Sequence, residues 1–240
     1  MSTYQVRLEG REALAEGTMA FHFAKPGAFG FKPGQAIDLI LPGMADGNAD
    51  NGRHAFSLVS APFEDRLTIA TRMRDSLYKR TLGALADGAP VQVDGPFGSL
   101  TLHSNRARPA VFIAGGIGIT PFVSILRQAA KESLPQRFVL VYSNRRPEDA
   151  AFLAELQSLE QRMESFELIA TMTEAGQSGQ PWTGPTGMVD GELLKGIAAR
   201  LPSPIYYLAG PPAMVGAMCD LLNRSGIADD DIRSEDFYGY

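Results

Sequence analysis

The sequence predicts two units of different class: an antiparallel barrel or sandwich of short strands, then an α/β unit built on a parallel sheet. Three observations carry this. Up to about residue 100, short apolar stretches recur at even spacing and are punctuated by Gly and Pro, the pattern of an all-β unit. From Ala110 onward, short continuous apolar runs alternate with helical periodicity, the pattern of strands buried on both faces of a parallel sheet. Between the two lies a polar stretch, 103–109, so the boundary falls near 100–108 and is drawn between 103 and 104. A chain of 240 residues accommodates one large domain or two small ones at about 150 residues per domain.

In the first half the candidate strands are 5–11, 18–25, 36–41, 54–59, 67–74 and 90–93, interrupted by one helical piece at 78–86. In the second half the apolar run 110–114 precedes a helix at 121–131, and 138–142 precedes one at 149–162. Runs 166–172 and 205–209 precede helices at 192–200 and 213–223. No internal repeat or low-complexity segment interrupts this order.

Composition narrows the function classes. Apolar residues make up 45% of the chain, enough to bury a core. The net charge of −5, with no block of like charges, argues against a nucleic-acid partner, which demands a basic face. A single cysteine, Cys219, excludes an internal disulfide and an all-cysteine iron–sulfur cluster. His22, His54 and His103 stand far apart, so no metal site is expected. No basic-then-apolar leader and no run of about 20 apolar residues is present. The expectation is a cytoplasmic protein with no membrane span.

Two glycine-bearing loops follow predicted parallel strands. In FIAGGIGITP at 112–121, Gly115, Gly116 and Gly118 permit a tight turn and close backbone approach. Thr120 suits the helix N-cap and Pro121 the first helical position, so free amides and the helix dipole face the loop, as a pyrophosphate requires. The spacing is not GxGxxG, and a plain strand-to-helix turn is the competing reading. In YYLAGPPAM at 206–214, Gly210, Pro211 and Met214 sit at the carboxyl end of another strand, the edge where open α/β sheets bind ligands. A third stretch, RHAFSLVS at 53–60, places His54 near Ser57. A hydrolase reading of this pair fails: there is no GxSxG elbow, and residues three apart on a strand face opposite sides.

Six motifs in order carry a family resemblance: HAFS at 54–57, SLYK at 76–79, GPFG at 95–98, GGIGITP at 115–121, AGPPAM at 209–214 and EDFYGY at the end. The chain resembles the ferredoxin–NADP reductase superfamily over nearly its whole length. The resemblance implies a flavin-binding antiparallel β-barrel over 1–103 and a nicotinamide-nucleotide-binding α/β parallel-sheet domain over 104–240. The family pattern is Arg-x-Tyr-Ser, so Phe56 is expected to pack on the isoalloxazine and Ser57 to lie near flavin N5. His54 occupies the arginine place, since Arg53 is one residue too early. Ser76 and Lys79 resemble the segment that holds the flavin diphosphate, and Thr71 and Arg72 the positions lining the ring.

In the second domain, Gly115, Gly116, Gly118 and Thr120 match the family's nucleotide pyrophosphate loop, with Gly210, Pro211 and Met214 on the facing loop. Ser143, Arg145 and Arg146 follow the second parallel strand, where the adenosine ribose is read. Two arginines and a serine favour NADPH over NADH there. Ala209 stands where many members carry a cysteine near the transferring hydride. Tyr240, in the C-terminal FYGY, is a candidate for gating nicotinamide entry over the flavin. The implied activity is that of an FAD-dependent NAD(P)H reductase: hydride passes to FAD, then single electrons to a separate acceptor, a small iron–sulfur protein or a small molecule. A complex-dependent electron-transfer subunit and a sensor with a degenerate site are the alternatives.

Overall fold

The computed structural model describes residues 2–44 and 52–238. Its first half is an antiparallel sheet of six strands: β1 (Ser2–Ala15), β2 (Thr18–Ala24), β3 (Ala36–Ile40), β4 (Arg53–Ser57), β5 (Arg66–Arg72) and β6 (Pro90–Phe97), with helix α1 (Leu77–Ala84) before the last strand. The strands neighbour one another in the order β4-β3-β6-β1-β2-β5. The two end strands then meet: Leu58 bridges Ile69, and the Val59 amide donates to the Thr68 carbonyl at 2.8 Å. This closes the sheet into a barrel.

Alternation fills it. Phe21 and Phe23 on β2, Ile37 and Leu39 on β3, and Val91 and Val93 on β6 point inward and are wholly or almost wholly buried. Helix α1 is tied to this wall by the Tyr78 hydroxyl, which donates to the Leu39 carbonyl at 2.8 Å.

β1 is twice the length its apolar residues predict. Only Val6 and Leu8 along it are buried. Its length comes from pairing, because Ser2–Arg7 ladders with β6 and Leu8–Ala15 with β2. The part of a strand held by its ladder partners alone, with no buried side chains, has no periodic apolar signature to read.

The second half is a five-stranded parallel sheet: β7 (Ala110–Gly115), β8 (Phe138–Asn144), β9 (Phe166–Met172), β10 (Ile205–Gly210) and β11 (Ile232–Asp236), ordered β11-β10-β7-β8-β9. Four helices cover it: α2 (Thr120–Lys131), α3 (Leu153–Arg162), α4 (Gly191–Ala198) and α5 (Pro212–Arg224). The central strands are buried on both faces, which is why they read as continuous apolar runs. The polar β11, IRSED, has no such run and escaped prediction.

Two helix starts differ from expectation. Thr120 is the first helical residue rather than the cap: a 3-10 turn, Gly116–Ile119, precedes it, and its hydroxyl donates to the Ile117 carbonyl at 3.1 Å. α3 begins at Leu153 rather than 149, because Pro147–Asp149 forms a 3-10 turn and Phe152 takes a left-handed φ of 62°.

The two halves share one core. Ala20, Val59, Ala70 and Leu100 from the barrel side join Phe112, Phe122, Ile125 and Tyr207 of the α/β half in a single apolar cluster. Polar links reinforce it. The Ser124 hydroxyl donates to the Ser60 carbonyl at 2.7 Å. Arg127 holds Glu155 bidentately at 2.7 and 2.8 Å and reaches Glu64 of the barrel at 3.3 and 3.4 Å. Charge-assisted bonds of this kind are worth about 1.5–3 kcal/mol. Arg127→Ala is therefore expected to lower unfolding free energy by about 2 kcal/mol, read by urea denaturation.

Candidate functional site

β4 and β5 meet only at the Leu58–Ile69 end. Beyond it they diverge, and the residues on their facing edges line a cavity of about 540 Å³ rather than a ladder. Phe56 and Ser57 border it from β4, Ala70 and Thr71 from β5, Ser76 and Lys79 from the start of α1. Across the opening stand Thr120 at the start of α2 and Glu235, Asp236, Phe237 and Tyr238 at the end of β11. The cavity thus lies between barrel and parallel sheet.

On β4 the side chains divide as strand geometry requires. Arg53 leaves the cavity and pairs with Asp38 at 2.7 Å and Asp94 at 2.5 Å. His54 and Phe56 fall on the other side, with ring centroids 4.0 and 6.1 Å from Tyr78. The Ser57 hydroxyl, on a residue 6% exposed, borders the cavity and makes no hydrogen bond with any described residue.

Two cationic side chains, Arg74 and Lys79, border this cavity, and Lys79 is the buried one. Ser76 caps α1 by accepting from the Lys79 amide at 3.2 Å, so the lysine side chain rises from the helix's first turn. Its ammonium donates to the Thr71 hydroxyl and sits 4.6 Å above the Phe56 ring and 5.9 Å from that of Tyr78. Burial lowers its pKa from 10.5 to about 8.

Arg72 requires correction as a ring-lining residue. Thr71 borders the cavity and Arg72 does not; its guanidinium lies 3.4 Å from Asp149 of the α/β half. Glu235 was not singled out from the sequence, although it opens the motif EDFYGY. It borders the cavity, its carboxylate has no hydrogen-bond or ion-pair partner among the described residues, and burial raises its pKa. Tyr240 lies outside the described residues.

The two glycine loops touch. A β-carbon on Gly118 would stand 2.2 Å from the Ala209 carbonyl oxygen and 2.7 Å from Gly210 Cα. Gly116 has φ +53° and Gly210 φ +155°, conformations that favour glycine. Met214, on the first turn of α5, packs against Gly115, and Pro211 starts that turn by accepting from the Met214 amide at 2.9 Å. Ala209 is fully buried. The tail after β11 is fixed here too: the Phe237 amide donates to the Gly210 carbonyl at 2.9 Å. The result is a groove of backbone along the carboxyl edge of the sheet, beside the cavity. Ser143, Arg145 and Arg146 lie farther along that edge, at the end of β8.

Among the described residues no group of three His, Cys, Asp or Glu side chains is placed to hold a metal, and no helix is long and apolar enough to cross a membrane.

A barrel joined to a doubly covered parallel sheet, with a cavity at the junction and a paired-glycine edge beside it, defines the two-domain nucleotide-dependent reductases. The comparisons agree. Residues 112–220 match the family model described as the oxidoreductase NAD-binding domain. The chain is 28% identical to the reductase component of propane 2-monooxygenase from Rhodococcus jostii over 219 residues, covering 89% of this chain and 57% of that protein. It is 29% identical to ferredoxin–NADP reductase B of Sorangium cellulosum, over 85% of this chain and 83% of that one. The structure of a ferredoxin NADP+ reductase from Neisseria gonorrhoeae with bound FAD and NADP superposes with a TM-score of 0.82 at 23% identity, covering 98% of each chain. The chain spans about six-tenths of the length of the propane monooxygenase reductases it matches. Residues 112–220 are thus an oxidoreductase NAD-binding domain, and the chain as a whole is similar to the ferredoxin–NADP reductase-like FAD/NAD-binding oxidoreductases.

Proposed function

We propose that this chain is an FAD-dependent NAD(P)H reductase that hands electrons to a separate acceptor, with its domains divided at 103/104. The observation that carries the reading is the cavity between splayed β4 and β5 strands, with the Phe56 ring, Ser57 and a buried lysine on one wall and the glycine edge opening beside it. When bound, FAD supplies the redox chemistry, taking hydride from a reduced nicotinamide and releasing electrons singly.

The protein's residues bind and orient. Phe56 would pack on the ring system, and Ser57 would hold it through its hydroxyl. Lys79, His54, Ser76 and the free amides at the start of α1 face the diphosphate, with Thr71 alongside the ring. Gly115, Gly116, Gly118, Thr120 and the loop at Gly210, Pro211 and Met214 hold the nicotinamide nucleotide. Glu235 and Phe237 close the cavity from the far side and exclude water. No residue is required as a general base.

The acceptor is a separate iron–sulfur or oxygenase-type protein, in keeping with relatives that are oxygenase reductase components and a ferredoxin reductase. A cytoplasmic location accords with the reduced nicotinamide it consumes. The visible spectrum of purified protein tests the proposal: a flavin spectrum bleached anaerobically by NADH or NADPH, with ferricyanide reduction in turnover, is expected. A protein that is colourless and stays so after reconstitution with FAD overturns it.

A further inference from the structure

We infer that the nucleotide site takes NADH and rejects NADPH, and that Arg146 is a positioning residue clamping the ribose loop to the barrel rather than a phosphate ligand. This rests on the reading of the glycine edge as a nicotinamide-nucleotide site. In such sheets an acidic group at the carboxyl end of the second strand accepts from a free ribose 2′-hydroxyl, whereas an arginine receives a 2′-phosphate. The corresponding segment here is Ser143-Asn144-Arg145-Arg146.

Both arginines have carboxylate neighbours, and Arg146 is fully engaged. Arg146 donates to the Asp149 carboxylate at 3.0 and 3.1 Å and to Glu16 at 3.0 Å, and lies 3.6 Å from Glu148. Glu16 belongs to the β1–β2 turn of the barrel, and its amide also donates to the Glu148 carbonyl at 2.7 Å. Arg72 reaches Asp149 from β5. The loop is thus held to the barrel by side chain and backbone together.

Arg145 is the exposed arginine, its side chain 71% accessible, and it lies 3.7 Å from Glu174. The segment after β9 that carries Glu174 is itself bonded to the loop, through the Glu174 amide and the Arg145 carbonyl at 2.8 Å. Glu148 is fixed from the same side by Ser178 and the Gly179 amide, which hold its carboxyl below the ordinary range.

Around this loop three guanidiniums (Arg72, Arg145, Arg146) therefore meet four carboxylates (Glu16, Glu148, Asp149, Glu174). A 2′-phosphate would bring about two further negative charges into a site already net negative, where only the exposed Arg145, itself 3.7 Å from Glu174, is not held by hydrogen bonds. A free 2′-hydroxyl needs only an acceptor, which Glu174 offers.

The test uses the FAD-loaded full chain. Calorimetric titration with 5′-AMP and 2′,5′-ADP, together with KM for NADH and NADPH, is expected to favour the unphosphorylated member of each pair by at least about tenfold. Glu174→Arg is expected to narrow or reverse that preference. Arg146→Gln is expected to weaken both nucleotides alike and to lower the melting temperature. Preference for 2′,5′-ADP in the unmodified protein overturns the inference, as does a Glu174→Arg variant with unaltered preference. An Arg146→Gln variant that loses only 2′,5′-ADP does so as well. These outcomes leave the reductase reading intact, whereas failure to bind either nucleotide overturns the nucleotide site and the inference with it.

Discussion

Gly118→Ala is expected to destabilise the protein by about 3 kcal/mol, lowering the melting temperature by roughly 6–12 °C, and to abolish nucleotide binding. The added methyl would stand 2.2 Å from the Ala209 carbonyl oxygen and 2.5 Å from its carbonyl carbon. Those atoms belong to the backbone of β10, which is paired to β7 on one side and β11 on the other and cannot swing aside. Relief comes only by parting the two loops, which opens the groove itself. Gly116→Ala is the control: no atom lies within 4 Å of its added carbon, so only the positive φ is penalised, at about 1 kcal/mol. A differential scan of the two variants with 5′-AMP titration decides the matter. If Gly118→Ala melts and binds like the parent, the loops do not touch as described.

The second large effect concerns Lys79. Burial lowers its pKa from 10.5 to about 8, so the folded protein binds fewer protons than the unfolded chain between these values. By linkage the cofactor-free protein gains stability from this residue as pH rises from about 8 toward 10.5 and loses it as pH falls back through 8. FAD affinity has the opposite sign. A diphosphate beside Lys79 needs the ammonium, so binding above pH 8 must take up a proton. The affinity is expected to be level below that pH and to weaken by up to about tenfold per unit above it. Lys79→Met should bind FAD more weakly at pH 7 and lose the slope. Flavin fluorescence titrations from pH 7 to pH 9.5 provide the measurement, and a methionine variant with the parental affinity and slope removes Lys79 from the diphosphate site.

What the sequence reveals about this molecule follows where burial leaves a pattern. β7, β8, β9 and β10 are covered on both faces, so their apolar runs predict strands within a residue or two. β11 and the C-terminal half of β1 owe their existence to hydrogen-bonded neighbours, and a strand without buried side chains carries no such trace. The glycine loops were legible because backbone approach needs a particular residue type. The phase of a strand was not: Thr71 and Arg72 are adjacent letters, yet one faces the cavity and the other faces Asp149 across the junction. Charge was the least legible of all. Arg145 and Arg146 read as phosphate ligands until Glu16, distant in sequence, and Glu174 appear beside them.

The seam of the barrel has a consequence of its own. Leu58 and Ile69 meet, but the next residues outward, Ser57 and Phe56 against Ala70 and Thr71, part to make room for the cavity. On the proposed function, FAD slots into this parting and serves as a stave of the cylinder. The prosthetic group then belongs to the scaffold as much as to the chemistry. Supply of flavin during synthesis sets how much of the chain matures, and flavin starvation would show as lost protein before it showed as lost turnover.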